Sequence, residues 1–213
     1  MKLNDPFVIT ISREVGSGGR TVGRKLAQKL GVHYSDKQLI EELERKLAID
    51  SVKIEELRGK KKNWLSDFLE MVAPVPKANT LVGSSEYTQE FTPQVSVKTV
   101  FDAEKEILNA IADEGSCVIA GRSGFFVLKD RPNKVDIFIT ASRESRIKRI
   151  QQKQKMSQKL AGEIVDSVDK TRENYVMRYT GQSRYDLRNY NLVINMEGKT
   201  EDEAVDIILS YIS

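Results

Sequence analysis

The sequence is poor in the residues that build disulfides and metal centres. It has one cysteine and one histidine in 213 residues, so it can form neither a disulfide framework nor a histidine-based metal site. Cys117 lies in the apolar run Cys117 to Ala120, a setting typical of a buried core thiol rather than a nucleophile.

Long apolar runs and a strong charge imbalance are also missing. No run approaches the roughly 20 apolar residues of a membrane helix, and the first residues lack the apolar middle of a signal peptide. We therefore expect a cytoplasmic protein with no membrane partner. The net charge of +3 does not call for a nucleic acid, and we expect none as a partner. The basic run from Arg58 to Lys62 is best interpreted as a solvated loop.

What the sequence does have is a glycine-rich segment near its start. Ser12 to Thr21 follows the apolar run Phe7 to Ile11 and precedes a helical pattern at Val22, Leu26 and Leu30. Glycines let the backbone turn its N–H groups inward, and the helix adds the positive end of its dipole. The pattern predicts a strand, a phosphate-binding loop and a helix, although a glycine-rich turn that only lets strand and helix pack closely is the plainer alternative.

Set against the pattern G-x-x-x-x-G-K-[ST], the segment places Gly19, Arg20 and Thr21 in the last three signature positions. Arg20 stands where lysine is usual, and its planar guanidinium is a different phosphate ligand. Glu14 stands where the first glycine belongs, and we expect its carboxylate to point away from the loop or to pair with a neighbour such as Arg13.

Further strands and helices alternate along the chain. Strands are predicted at 32–36, 116–120, 135–140 and 190–195, and helices over 97–114, after Ser142, around 160–175 and from Thr200, where Glu203 completes a capping box. This alternation predicts an α/β fold with a central, mostly parallel sheet and helices on both faces, a three-layer sandwich. We interpret residues 1–213 as a single domain.

Residues 48–95 differ in composition and pattern from the rest of the chain. They hold the basic run, a short amphipathic piece at Trp64 to Val72 and a Pro-, Gly- and Ser-containing stretch. A long irregular connection inside a domain is often a lid or binding loop. We interpret it as a mainly helical inserted lobe that closes over a substrate or docks a second subunit in a homodimer.

Candidate site residues lie at predicted strand ends and on the arginine-bearing helices. Asp36 ends the second strand, where it would contact a ribose or substrate hydroxyl or would cap a helix predicted at Lys37 to Leu47. Arg122 follows the strand at 116–120 and has no partner apparent in the sequence, which favours an anion-binding role. Arg146 and Arg149 are three residues apart and share a helical face.

These residues resemble the cytidylate kinase-like family, a branch of the P-loop nucleoside monophosphate kinases. The resemblance covers roughly residues 7–49 and 116–213. It rests on several short motifs: Ile11-Ser12-Arg13 with Gly16-Ser17-Gly18-Gly19, Leu30-Gly31 followed by Asp36, Gly121-Arg122, Arg146 and Arg149, Asp169 to Arg172, and Asn189 to Asn195.

The resemblance implies an ATP-dependent phosphotransferase that uses Mg²⁺ and a nucleotide or another small phosphate acceptor. The donor phosphates would lie on Gly16, Ser17, Gly18, Gly19, Arg20 and Thr21, with the Thr21 hydroxyl on Mg²⁺. Arg13, Asp36 and Arg122 would bind the acceptor. Arg20 would contact the β- and γ-phosphates, and the catalytic arginines Arg146, Arg149 and Arg172 would neutralise the transferring group.

Three alternatives stay open. Glu14 and Arg20 are compatible with a nucleotide-binding sensor that has no turnover. The residues of the inserted lobe allow a kinase of another small hydroxyl compound. Nucleic-acid binding through Lys60 to Lys62 is the weakest, and it would require steeply salt-dependent affinity.

Overall fold

The structure is a computed structural model, and it describes residues 1–36 and 97–213. The predicted inserted lobe at 48–95 and a helix predicted at Lys37 to Leu47 lie outside the described residues. The extent of the domain over the whole chain therefore stays a prediction.

Five strands form one parallel sheet. They are β1 (Val8–Arg13), β2 (His33–Ser35), β3 (Cys117–Ala120), β4 (Lys134–Thr140) and β5 (Leu192–Asn195). Their order across the sheet is β2-β3-β1-β4-β5, and every neighbouring pair is parallel. In the register, Ile11 of β1 lies opposite Ala120 of β3 and Ile137 of β4. The strand that leads into the glycine loop is therefore the central one.

The helices lie between the strands along the chain, except the last, which follows β5. They are α1 (Gly19–Leu30), α2 (Val97–Glu114), the short α3 (Gly124–Val127), α4 (Arg143–Gln154), α5 (Gln158–Thr180) and α6 (Glu201–Ile212). Ser142, Ser157 and Thr200 cap α4, α5 and α6 with their side chains. The predicted capping box of Thr200 and Glu203 is confirmed.

Helices cover both faces of the sheet. On one face, Ile9 and Ile11 pack against α1 and α6 through side chains such as Leu26 and Ile208. On the other, Val8 and Ile119 pack against α2 through Leu108 and its neighbours. Burial of each such side chain contributes roughly 1.5–3 kcal/mol. The predicted three-layer α/β arrangement is confirmed.

The topology brings the carboxyl ends of the strands to one edge. Arg13, Asp36, Gly121 and Thr140 end or directly follow β1, β2, β3 and β4, and ligands of parallel α/β sheets bind at this edge. Within residues 1–36 and 97–213, none of the helices has the length and apolar character needed to cross a bilayer.

Candidate phosphate-binding site

The glycine loop has a backbone shape that side chains would prevent. Gly16 and Gly18 have φ values of 81° and 90°, in the left-handed region that glycine adopts without strain. A Cβ on Gly16 would lie 2.7 Å from the Arg146 carbonyl oxygen, and one on Gly19 would lie 2.6 Å from the Arg13 Cβ. Close packing therefore explains part of the glycine content, as the plainer alternative proposed.

Packing does not explain where the loop amides point. The Ser17 amide donates to the Glu14 carbonyl at 3.3 Å, and the Thr21 amide to the Gly18 carbonyl at 2.9 Å. Four further amides find no acceptor among residues 1–36 and 97–213, namely those of Gly16, Gly18, Gly19 and Arg20. Gly18 caps α1 without a side-chain hydrogen bond, and the first turn of α1 contains no acid. Such an arrangement favours an oxyanion.

A pocket of about 340 Å³ opens beside these amides. It is lined by glycines of the loop and by basic residues from four elements: Arg13, Arg20, Arg149, Lys153 and Arg172. Thr21 also lines it, and its hydroxyl has no hydrogen-bond partner in the described part of the chain. In that same part, no cluster of three acidic, histidine or cysteine side chains could hold a metal by itself. The donor set thus fits a polyphosphate, with one hydroxyl available to an accompanying Mg²⁺.

Glu14 is turned to the neighbouring strand and helix. Its carboxylate accepts a hydrogen bond from the Thr140 hydroxyl and lies 3.5 Å from Arg146 Nη2. The expectation that it points away or pairs with a cation is met, but the cation is Arg146 rather than Arg13. The negative charge of Glu14, which would repel a phosphate, is therefore partly neutralised within the protein.

Arg13 lies across the end of β3. A Cβ on Gly121 would be only 2.0 Å from Arg13 Nη1, so the glycine leaves the space that the guanidinium occupies. Beyond it, Arg13 Nη2 lies 3.5 Å from Asp36 Oδ1. Asp36 also pairs with Arg20, whose Nε lies 2.5 Å from Oδ2. The structure therefore places three predicted site residues together at the sheet edge, although their contacts with ligands stay predictions.

Arg146 is held beneath the loop by protein groups. It is buried, pairs with Asp169, and donates to the carbonyls of Ala141 at 3.1 Å and Val15 at 3.3 Å. Asp169 in turn accepts the Val15 amide at 3.0 Å. This geometry favours a positioning role for Arg146, and the catalytic role predicted from sequence stays untested.

Arg149 and Arg172 reach the pocket from α4 and α5. Arg149 lies against Gly18, with Nη2 at 3.0 Å from where a Cβ would be, and pairs with Glu201 of α6. Arg172 Nη1 donates to the Arg13 carbonyl at 3.2 Å. Both arginines line the pocket, so the structure gathers two of the three predicted arginines of the transferring group there.

Arg122 has a partner that the sequence did not reveal. Its Nη1 lies 2.9 Å from Glu104 Oε1, and Tyr175 donates a hydrogen bond to the other oxygen of Glu104. Glu104 is fully buried, and that burial raises its pKa above the usual range. Arg122 also has a φ of 56°, an uncommon conformation for a non-glycine residue. Its predicted contact with an acceptor is untested.

Two residues of the site region escaped sequence reasoning. Lys153 lines the pocket but was one of many lysines and arginines on α4. Arg184 is buried between α5 and β5 and donates to the Arg13 carbonyl at 2.5 Å. Its segment follows no helical or strand pattern, so the sequence contains no periodic signal for that position.

Solved structures similar to this chain share its fold. An uncharacterized protein from Eubacterium ventriosum matches with a TM-score of 0.68 and 22% identity, over 97% of this chain and 98% of that one. Shikimate kinase from Acinetobacter baumannii in complex with shikimate matches with a TM-score of 0.52 and 16% identity, over 97% and 92%. Shikimate kinase from Bacteroides thetaiotaomicron matches with a TM-score of 0.51 and 13% identity, over 97% and 98%.

The structures above are similar to this chain in fold, whereas the family assignment depends on its sequence. No curated protein matches the sequence. A family model described as the cytidylate kinase-like family matches residues 8–198, a range that includes the glycine loop, the strand ends and both arginine-bearing helices. The chain belongs to the cytidylate kinase-like family.

Proposed function

We propose that this chain is an ATP-dependent phosphotransferase that acts on a nucleotide or a nucleoside. The family and the fold support a kinase-type phosphotransferase. The observation that carries the more specific proposal is the group of four loop amides, those of Gly16, Gly18, Gly19 and Arg20, which have no acceptor in the described part of the chain. They lie at the positive end of α1 and beside a pocket lined by basic residues.

Each group of residues has a role in this proposal. ATP with Mg²⁺ would supply the phosphoryl group when bound. The loop amides hold its phosphates, Arg20 neutralises their charge from the first turn of α1, and the Thr21 hydroxyl is the side-chain ligand offered to Mg²⁺. Phosphoryl transfer needs mainly positioning and electrostatic stabilisation, and main-chain amides on a helix terminus provide both.

The acceptor side is formed by the strand ends. Arg13 and Arg122 supply positive charge there, and Asp36 offers a carboxylate to an acceptor hydroxyl. Arg149 and Arg172 stabilise the transferring group from the pocket wall, while Arg146 fixes the loop from below. Docking of a second copy through residues 48–95 is a further part of this proposal that the described residues do not address.

A nucleotide-binding sensor without turnover is the second candidate. The observation that favours it is the ion pair between Arg20 and Asp36 at 2.5 Å, because a cation bound by a protein carboxylate is less available to phosphate oxygens. A kinase of another hydroxyl compound is the third candidate. It would be recognised by the acceptor that supports ADP release.

Release of ADP tests the proposal. The full chain is incubated with ATP and Mg²⁺ and with nucleoside monophosphates, nucleosides, sugars or shikimate, each separately, while melting temperatures are measured with ATP, CMP and both. We expect acceptor-dependent ADP release with a nucleotide or nucleoside. A melting shift with ATP but no ADP in any mixture would select the sensor.

Arg20→Ala provides the matched variant. We expect a rate lower by about 10² to 10³, because one preorganised cation at the developing charge is lost, and an unchanged melting temperature, because Arg20 is 63% exposed. Arg24→Ala, one turn further along α1 at an exposed position, is the control and should react like wild type. Full activity of Arg20→Ala would contradict the role given to this residue.

A further inference from the structure

Arg184 is anchored in the segment that joins α5 to β5. Its amide donates to Glu173 Oε2 at 3.0 Å, and its carbonyl accepts the Tyr190 hydroxyl at 2.7 Å. The side chain is 5% exposed. Its guanidinium carbon lies 5.8 Å from the centre of the Phe138 ring and 5.4 Å from that of Tyr185. The main chain and two aromatic rings therefore fix a positive charge inside the protein.

The protein neutralises that charge poorly. Nη2 donates to the Arg13 carbonyl at 2.5 Å, but the buried Nη1 has no hydrogen-bond partner among residues 1–36 and 97–213. The Asp169 carboxylate lies 4.0 Å from Nη1, too far for a hydrogen bond. Asp169 is moreover already bound to Arg146 and to the Val15 amide. A buried polar group without a partner is destabilising, so its presence requires an explanation.

Two more guanidinium groups, those of Arg13 and Arg172, lie near enough to interact with the charge of Arg184. The Arg13 carbonyl accepts from Arg172 as well as from Arg184. Burial lowers the pKa of Arg13 and of Arg172, and the charge of Arg184 lowers both further, against the attraction of Asp36 for Arg13 and of Asp169 for Arg172. Arginine nevertheless keeps its proton at neutral pH, so the three positive charges repel one another. Arg13 and Arg172 line the pocket beside the glycine loop, which places this excess of positive charge next to it.

We propose that Arg184 is a positioning residue for polyphosphate binding, which acts through Arg13 and Arg172 to raise the positive potential of the loop pocket and lowers folding stability in doing so. A bound polyanion reduces the repulsion among the three arginines, which is unrelieved in the ligand-free protein. Residues that destabilise a fold in this way are typical of functional sites. The inference rests on the proposed function, since it takes the loop pocket as the polyphosphate site.

The test uses inorganic tripolyphosphate, pyrophosphate and phosphate as probes, so that it does not depend on turnover. Affinities of the full chain and of Arg184→Met are measured by titration calorimetry, and melting temperatures are measured without ligand. Arg184→Gln is a second variant of the same kind. Arg188→Met is the matched control, because Arg188 lies four residues away, is 89% exposed and pairs with Asp186.

We expect Arg184→Met to bind tripolyphosphate about 5- to 30-fold more weakly, with a smaller loss for pyrophosphate and the smallest for phosphate. Its melting temperature should equal or exceed that of wild type, since the Arg13 carbonyl keeps Arg172 as a donor. Arg188→Met should change neither quantity.

Two results would overturn the inference. One is tripolyphosphate affinity within twofold of wild type in both Arg184 variants. The other is a lowered melting temperature with an equal loss for all three probes, which indicates a structural role. A wild-type chain that does not bind tripolyphosphate would overturn the proposed function as well, whereas absence of ADP release with normal tripolyphosphate binding would affect the proposed function alone.

Discussion

Arg146 and Arg172 both extend from the paired helices α4 and α5 toward the glycine loop, yet their surroundings differ. Arg146 pairs with Asp169 and Glu14 and donates to two carbonyl oxygens. Arg172 has one hydrogen bond within residues 1–36 and 97–213, to the Arg13 carbonyl. The charges of Arg13, Arg184 and Arg20 lower its pKa, and the charge of Asp169 raises it. The first arginine is neutralised by ion pairs, whereas the second forms none in the described part of the chain.

The difference separates two uses of the same side chain. A buried guanidinium surrounded by acceptors holds its acceptors in place, since removal of either partner leaves the other unsatisfied. A guanidinium among like charges contributes little to folding and keeps its attraction for a ligand. The number and charge of the partners, rather than proximity to the loop, therefore predict which arginine acts on a substrate and which acts on the fold.

The largest effect on stability is expected from removal of the neutralised arginine. Arg146→Met should lower the free energy of unfolding by about 3–5 kcal/mol, because the buried Asp169 and the largely buried Glu14 lose their nearest cation. Urea denaturation measures this loss. Arg143→Met on the same helix, where an exposed arginine pairs with an exposed Asp166, is the control, and it should change stability by less than about 1 kcal/mol. A loss at Arg146 no larger than the control's would remove the distinction between the two arginines.

The opposite behaviour is expected of Arg172, which forms no ion pair with the described residues. Arg172→Met should leave the melting temperature within the range of Arg178→Met, an exposed position on the same helix. Its phosphoryl-transfer rate should nevertheless fall by about 10² to 10³, because a cation at the transferring group is lost. The turnover rate is measured with the acceptor that the ADP-release screen identifies. A variant that loses stability but retains its rate would assign Arg172 to the same class as Arg146.

The sequence predicted the fold well because the signals were local. Strand and helix periods, the glycines at 16, 18 and 19, and the capping box of Thr200 and Glu203 each depend on residues a few positions apart. The phosphate loop was predicted for the same reason. These features do not depend on contacts with distant parts of the chain.

The pairing of charges could not be predicted in this way. Arg146 meets Asp169 because α4 packs against α5, and Arg122 meets Glu104 because α2 passes the end of β3; both pairings depend on tertiary contacts. Arg122 therefore looked unpartnered in the sequence, and Arg146 looked equivalent to Arg149. Arg184 became visible only through its burial and its contact with the Arg13 carbonyl, which lies 171 residues away along the chain.

The smallest effect expected is one of pH, and it tests whether Arg122 belongs with the neutralised arginines. Among the described residues, the groups that face Glu104 from the elements packed around it are Arg122, Tyr175 and Tyr179. Burial raises the pKa of Glu104 and outweighs the attraction of Arg122 and the hydrogen bond from Tyr175. An acid with a raised folded pKa contributes stability that is present below its unfolded value of 4.5 and is lost as the pH rises through the folded value.

The free energy of unfolding of wild type relative to Glu104→Gln should therefore decrease as the pH rises above about 4.5, by at most about 1.4 kcal/mol per pH unit for one group. Glu203→Gln should show the opposite trend, because hydrogen bonds from Thr200 lower the pKa of that exposed carboxyl. Urea denaturation across the pH range measures both. The opposite result would be a free energy of unfolding that increases with pH in wild type relative to Glu104→Gln. It would show that Arg122 stabilises the Glu104 carboxylate more than burial destabilises it. Arg122 would then be bound as firmly as Arg146, and its assignment to the acceptor would have to be withdrawn.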